Sequence, residues 1–259
     1  MIPKIVHWCW LSSDPIPESL TKCMDSWKKN LQDYQFIHWN LERFPKGKSI
    51  WVDEAFEHNK YAFAADYIRV YALYNYGGVY LDMDVEVLKS FDDFLDRREF
   101  LCRENSTNGY PEVAAFGVEP HCAWVKLWLD SYDNRHFVNS DGSMNLKPLP
   151  KVLEDVINNS RFEFKDVDRY DEFCKDDNFI YILPCDYFSP KSYKDGTVYL
   201  SDRSYSIHHF AGSWLQESAF VTAEKKLSKF LHIPYLNLVN KVKWNVWYKL
   251  FPSKNIYNK

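Results

Sequence analysis

The 259-residue chain reads as an α/β protein built on a central, mostly parallel sheet flanked by helices. Three observations predict this: an opening strand, helix, strand pattern; a long helix that stops at Gly77-Gly78 and feeds a short apolar strand; and strands and helices that keep alternating as far as His208-His209. In such sheets ligands gather beyond the carboxyl ends of the strands. Chemistry is therefore sought where strands end.

Taken in order, residues 2–8 form an apolar, buried-type strand, residues 17–30 an amphipathic helix begun by Pro17, and residues 34–39 a second strand. That βαβ start favours parallel pairing and a nucleotide-binding sheet. A helix over 61–76 and the strand 79–81 follow. Further strands are predicted at 100–103, 114–118, 179–183 and 205–209, with helices at 121–132 and 150–158. Neither an internal repeat nor a low-complexity linker interrupts them.

The segment YAFAADYIRVYALYNYGGVYLDMD, residues 61–84, carries most of the chemical information. Ala62, Asp66, Arg69 and Leu73 recur at helical spacing and share a face. Gly77-Gly78 then stops the helix and lets the backbone reverse. Residues two apart on a strand point the same way, so Asp82 and Asp84 converge on one ion while Met83 turns toward the core. Two carboxylates in register suit a hard divalent cation, Mn²⁺ or Mg²⁺, which bridges readily to phosphate oxygens. An EF-hand is excluded, because its glycine position would hold Val87 and its closing glutamate position Asp93.

Composition fits one enzyme-sized domain, residues 1–224, followed by a tail, residues 225–259. The tail holds eight Lys and no acid; with a net charge of −4 overall, the preceding body carries −12. Val239, Val242, Val246, Trp247 and Leu250 share one helical face of it, which suits either packing on the core or an anionic bilayer surface. Cys9, Cys23, Cys102, Cys122, Cys174 and Cys185 are scattered without metal-site spacing. They read as thiols in a reducing cytosol. No signal peptide or spanning run is visible, so the expected location is cytoplasmic, peripheral at the inner face of the plasma membrane through the tail.

With these residues in view, the chain resembles glycosyltransferase family 32, the Asp-x-Asp sugar transferases that include capsular polysaccharide and initiating mannosyltransferases. It is more distantly similar to the large clostridial glucosylating toxins. Three ordered blocks carry the likeness: Ile2-Pro3-Lys4-Ile5-Val6-His7-Trp8-Cys9-Trp10, the run from Ala62 to Asp84, and Ser206-Ile207-His208-His209-Phe210-Ala211-Gly212-Ser213-Trp214. The resemblance implies a GT-A-like fold and a retaining, metal-dependent transfer of a hexose from a nucleoside diphosphate sugar to a hydroxyl of a growing polysaccharide or lipid-linked glycan. A UDP-sugar is the favoured donor and GDP-mannose the second.

It also implies roles. Asp66 and Arg69 contact donor sugar and phosphate and, with Asp84, form the catalytic set; Gly78 and Asp82 belong with the donor-binding residues. Trp10 matches the toxins' base-stacking tryptophan, and Ser213 and Trp214 lie in a closing loop over the pyrophosphate. The Ile-His-aromatic-x-Gly-x-Trp run is similar to the closing motif of family 8 galactosyltransferases, whose histidine binds manganese, which makes His208 the third metal ligand beside Asp82 and Asp84. His209, its neighbour, faces the other way on a strand. Two departures stand out: Ala65 replaces a common serine, and around 111–118, where relatives carry an Asn contact, Glu112 is the available substitute.

Alternatives from other classes stay open at this point. A glycoside hydrolase also uses two carboxylates, but they flank a bond about 5–9 Å apart, whereas Asp82 and Asp84 suit a shared ion better. A non-catalytic glycan-binding protein at a membrane surface would account for the aromatics and the tail without requiring Asp66, Arg69, Asp82 and Asp84 together. Toxin-type protein glycosylation is the remaining enzymatic alternative. No nucleic-acid partner is indicated.

Overall fold

The computed structural model of the chain describes residues 1–173 and 178–212. Met1–Ala211 form one compact unit and Gly212–Lys259 a second. Ser213, Trp214, the basic tail and its predicted start at 225 lie outside the described residues.

The unit opens as the sequence predicts. Strand β1 (Ile5–Cys9) is followed by helix α1 (Glu18–Asn30), and β2 (Gln35–Trp39) returns parallel to β1, pairing Ile5 with Gln35 through Cys9 with Trp39. Helix α2 (Ile50–Glu57) begins at Ser49, whose hydroxyl accepts the Val52 N–H, and α3 (Tyr61–Tyr76) leads to β3 (Gly78–Leu81). Next come β4 (Val85–Val87), β5 (Glu99–Phe100), β6 (Ala115–Val118), α4 (Ala123–Asp130) and α5 (Leu149–Asn158). Strands β7 (Glu163–Asp166), β8 (Phe179–Ile182) and β9 (Ser206–His208) complete the described elements.

The central sheet has the order β2-β1-β3-β6-β5. Parallel pairing of β1 with β2 and β3, and antiparallel pairing of β6 with β3 and β5, leave β6 alone running against four co-directional strands. This is the mostly parallel, helix-flanked sheet expected from the alternating pattern. Side chains alternate across it into two cores. Tyr80, Phe116 and Val118 join the core of α2 to α5, with Trp51, Ile68, Leu73, Trp124 and Trp128. Val79, Leu81 and Ala115 join the core of α1, with Trp27, Phe91, Phe94 and Phe100.

The glycine pair works through sterics. Gly77 ends α3 at φ 62°, its N–H donating to the Leu73 carbonyl, and Gly78 at φ 99° opens β3 so close to β1 that a Cβ would sit 2.6 Å from the Ile5 carbonyl oxygen. His7 clamps the same corner. Its Nε2 donates to the Gly77 carbonyl at 2.8 Å and its Nδ1 accepts from Trp39 Nε1 at 3.1 Å.

Three expectations change. Asp82 and Asp84 do not lie on a strand: β3 ends at Leu81, and Asp82-Met83-Asp84 make a turn closed by the Val85 N–H on the Asp82 carbonyl at 3.0 Å. The turn still buries Met83 and points both carboxylates outward, so they converge through turn geometry rather than strand pleat. Predicted strand 100–103 shortens to Glu99–Phe100, because Cys102 and Arg103 leave the sheet to make isolated bridges with Leu183 and Pro111. Helix α2 and strands β4 and β7 are additional elements.

Candidate active site

Each end of the site is carried by a different part of the chain. Beyond β3 the Asp82 N–H still extends the ladder, donating to the Ala114 carbonyl at 2.8 Å, and β4 turns away to pair antiparallel with β9. That pairing sets Val85 opposite His208, so the imidazole arrives beside the acidic turn. Ligand atoms of Asp82, Asp84 and His208 all lie within 4.8 Å of one another.

Asp84 is the most firmly held of the three. The Ala211 N–H donates to its Oδ2 at 2.7 Å, the His209 N–H donates to its carbonyl at 3.0 Å, and His208 Nε2 stands 3.6 Å from Oδ2. Burial opposes its charge, but His208 and the backbone N–H groups outweigh burial and hold the carboxyl at about 2. At Asp82 burial prevails over Arg69, and the neighbouring Asp84 charge pushes the same way, so its pKa is raised. The His208 ring, though buried, is held protonated by the Glu112 and Asp84 carboxylates.

Arg69 lies behind this pair, 5% exposed. Its Nη2 donates to Asp82 Oδ1 at 2.9 Å and stands 3.6 Å from Asp66, Nη1 donates to the Val113 carbonyl at 2.5 Å, and the guanidinium lies over the Tyr80 ring at 4.3 Å. Both terminal nitrogens of the fork thus make bonds within the protein, and the Nη2 bond orients Asp82. Asp66, on the same face of α3, is raised to about 7 by burial, with Arg69 opposing and Asp82 reinforcing.

Other expected site residues are placed as follows. Trp10 is half-buried just after β1, with its indole N–H on the Asp14 carbonyl at 3.0 Å. Gly78 is buried at the opposite end of β3 from Asp82, about 13 Å away by strand rise, so it shapes the β1–β3 contact rather than touching a donor. His209 turns its ring to Glu86, with Nε2 3.0 Å from Oε2. Glu112 takes no sugar contact: it is 1% exposed, and both carboxylate oxygens are engaged, Oε1 by the Ala114 N–H at 2.8 Å and Oε2 by His208 Nδ1 at 3.0 Å. Sequence reasoning left Glu112 and the Val113 carbonyl without these partners, since their partners, His208 and Arg69, lie 96 and 44 positions away in the chain.

The donor set fits a divalent cation. Two carboxylates supply hard oxygens, the imidazole adds a borderline nitrogen, and the cluster gathers, beside Arg69, negative charge that raises the His208 pKa well above its ordinary value. A cation held by Asp82, Asp84 and His208 would take the place of the imidazolium proton at Nε2.

Comparison with known proteins enters here. Residues 17–101 match the family described as a glycosyltransferase sugar-binding region containing DXD motif. A mannosyl phosphorylinositol ceramide synthase of Saccharomyces cerevisiae is 34% identical over 53% of this chain and 37% of its own length. Inositol phosphoceramide mannosyltransferase 1 of Schizosaccharomyces pombe is 30% identical over 52% of this chain and 45% of its own. The chain thus spans less than half the length of either yeast relative. An uncharacterized glycosyltransferase of Acanthamoeba polyphaga mimivirus is 24% identical over 80% of this chain and 83% of its own length. Among solved structures, the PaToxG glycosyltransferase superposes with a TM-score of 0.46 at 21% identity, covering 60% of this chain and 69% of that one. The matched stretch, residues 17–101, is about a third of the chain and holds Asp66, Arg69 and the Asp82-Met83-Asp84 turn.

Proposed function

We propose that this protein is a metal-dependent, retaining glycosyltransferase that moves a hexose, with mannose ahead of others, from a nucleoside diphosphate sugar to a hydroxyl of a glycan or lipid-linked glycan. The convergence of Asp82, Asp84 and His208 from remote parts of the chain is the observation that carries this reading. Mannose is favoured because two of the relatives are named as mannosyl transferring enzymes.

The physical demand lies at the leaving group. As the bond from the anomeric carbon to phosphate breaks, the nucleoside diphosphate gains negative charge, and Asp82, Asp84 and His208 would hold a Mn²⁺ or Mg²⁺ ion whose positive charge would stabilise it. Arg69 orients Asp82 and adds its own positive field from behind. Asp66 holds the sugar by its hydroxyls, and Trp10 offers an indole face to the base. Ser213 and Trp214 are assigned to closing the site over the pyrophosphate. The basic tail is proposed to hold the enzyme at an anionic cytoplasmic membrane face, in which case pelleting with phosphatidylglycerol vesicles is lost at high salt.

A thermal-shift panel of UDP- and GDP-sugars, with and without Mn²⁺, tests the assignment. Metal-linked stabilisation by one donor class, abolished in Asp84→Asn, is the expected outcome. Stabilisation that survives that change intact would mean the ligand set is wrong.

A further inference from the structure

We propose that Glu112 is the positioning residue for His208: through the Nδ1–H it fixes the ring so that Nε2, and only Nε2, is offered to the cation. This rests on the metal reading above and goes beyond it.

The geometry restricts what the two side chains can do. A carboxylate only accepts hydrogen bonds, so the 3.0 Å contact between Glu112 Oε2 and His208 Nδ1 requires a proton on Nδ1. The other ring nitrogen then faces Asp84 Oδ2 at 3.6 Å, too long for a hydrogen bond and suited to two donors sharing one ion. Glu112 has no freedom to turn away. Its Oε1 accepts the Ala114 N–H at 2.8 Å, its own N–H donates to the Cys102 carbonyl at 2.8 Å, and the residue is 1% exposed. Carboxylates that accept from the distal nitrogen of a ligating histidine set its tautomer and orientation, and their loss weakens metal binding roughly 10–100-fold. Arg69 reaches the same segment from the other side, through the Val113 carbonyl, so one short stretch links both halves of the ligand set.

Glutamine at this position makes a sharp probe. It offers one acceptor and one donor where the site asks for two acceptors, so it keeps either the Ala114 bond or the His208 bond. Where it keeps the Ala114 bond, its NH₂ faces Nδ1 and drives the neutral ring to the tautomer with the proton on Nε2, which blocks the ligand position.

The experiment measures Mn²⁺ affinity of the full-length protein by the loss of the free-ion EPR signal for wild type, Glu112→Gln, Glu112→Leu and Asp84→Asn, with the metal-free melting temperature of each. Wild-type binding, loss in Asp84→Asn, and a 10–100-fold weaker Glu112→Gln with a melting temperature near that of the wild type support the proposal. Wild-type affinity both in Glu112→Gln and in Glu112→Leu, which offers Nδ1 no acceptor, overturns it and leaves the metal site standing. Affinity untouched by Asp84→Asn instead overturns the metal reading, and the role of Glu112 with it. A measurement on the unaltered chain guards against a variant that fails to fold: in ¹⁵N spectra of the Zn²⁺-loaded protein, the His208 Nδ1 must keep its proton while Nε2 shifts. A proton lost from Nδ1 overturns the assignment.

Discussion

His7 is held between a donor and an acceptor, so its buried ring has no place for a second proton. Burial, outweighing the Gly77 carbonyl, brings its pKa down to about 4. The unfolded chain therefore takes up a proton the folded one refuses, and the His7 contribution to stability is complete above about pH 6.5 and declines as pH falls from there toward 4. The full decline is worth about 3 kcal/mol, at about 1.4 kcal/mol per unit. Urea titrations of wild type and His7→Gln across that range check it: the variant should show a shallower acid loss. Arg69→Ala is the second residue-scale test. It strips Asp82 of its partner and the Val113 carbonyl of its donor, at an expected cost of about 3–5 kcal/mol, read as a lower urea midpoint. Asp82, Asp84 and His208 were legible in the sequence because each sits in a short motif with chemistry of its own. Glu112 was not, since its meaning comes from a bond to a residue 96 positions away.

The start of β3 packs backbone to backbone against β1. Gly78→Ala combines a positive φ with a Cβ 2.6 Å from a backbone oxygen that has no flexible end to yield, so it should cost at least about 2 kcal/mol. Thermal melting of the variant measures this, and an unchanged melting temperature would refute the packing account. Helix α3 ran as read, from Tyr61 to Tyr76, because a long period and a glycine stop leave little ambiguity. Strand β4, Val-Glu-Val, alternates but is only three residues long, and β7 is mostly exposed, with the sequence Glu-Phe-Lys-Asp, so neither stands out as a strand in the sequence, and both are defined by their partners β9 and β8. Helix α2 packs Trp51, Val52 and Ala55 inward, but in eight residues that spacing does not separate helix from strand. The acidic turn shows the same limit. Alternation correctly paired the two carboxylates yet named the wrong local geometry.

At the scale of the molecule, the sheet supplies a rigid floor with cores on both faces, and the site sits at one end of it. Donor and Mn²⁺ at about 100 times their dissociation constant should stabilise the protein by about 2.7 kcal/mol. For a unit of this size that corresponds to a rise of roughly 5–10 °C in melting temperature, absent with donor alone if the cation is the anchor.

The β4–β9 ladder also imposes an order in time. Asp82 and Asp84 leave the ribosome early, but the strand bearing His208 is synthesised more than a hundred residues later, so the three side chains come together only once β9 pairs with β4. Completion of the proposed cation site therefore waits on the pairing of β9 with β4, however early the sheet itself is laid down.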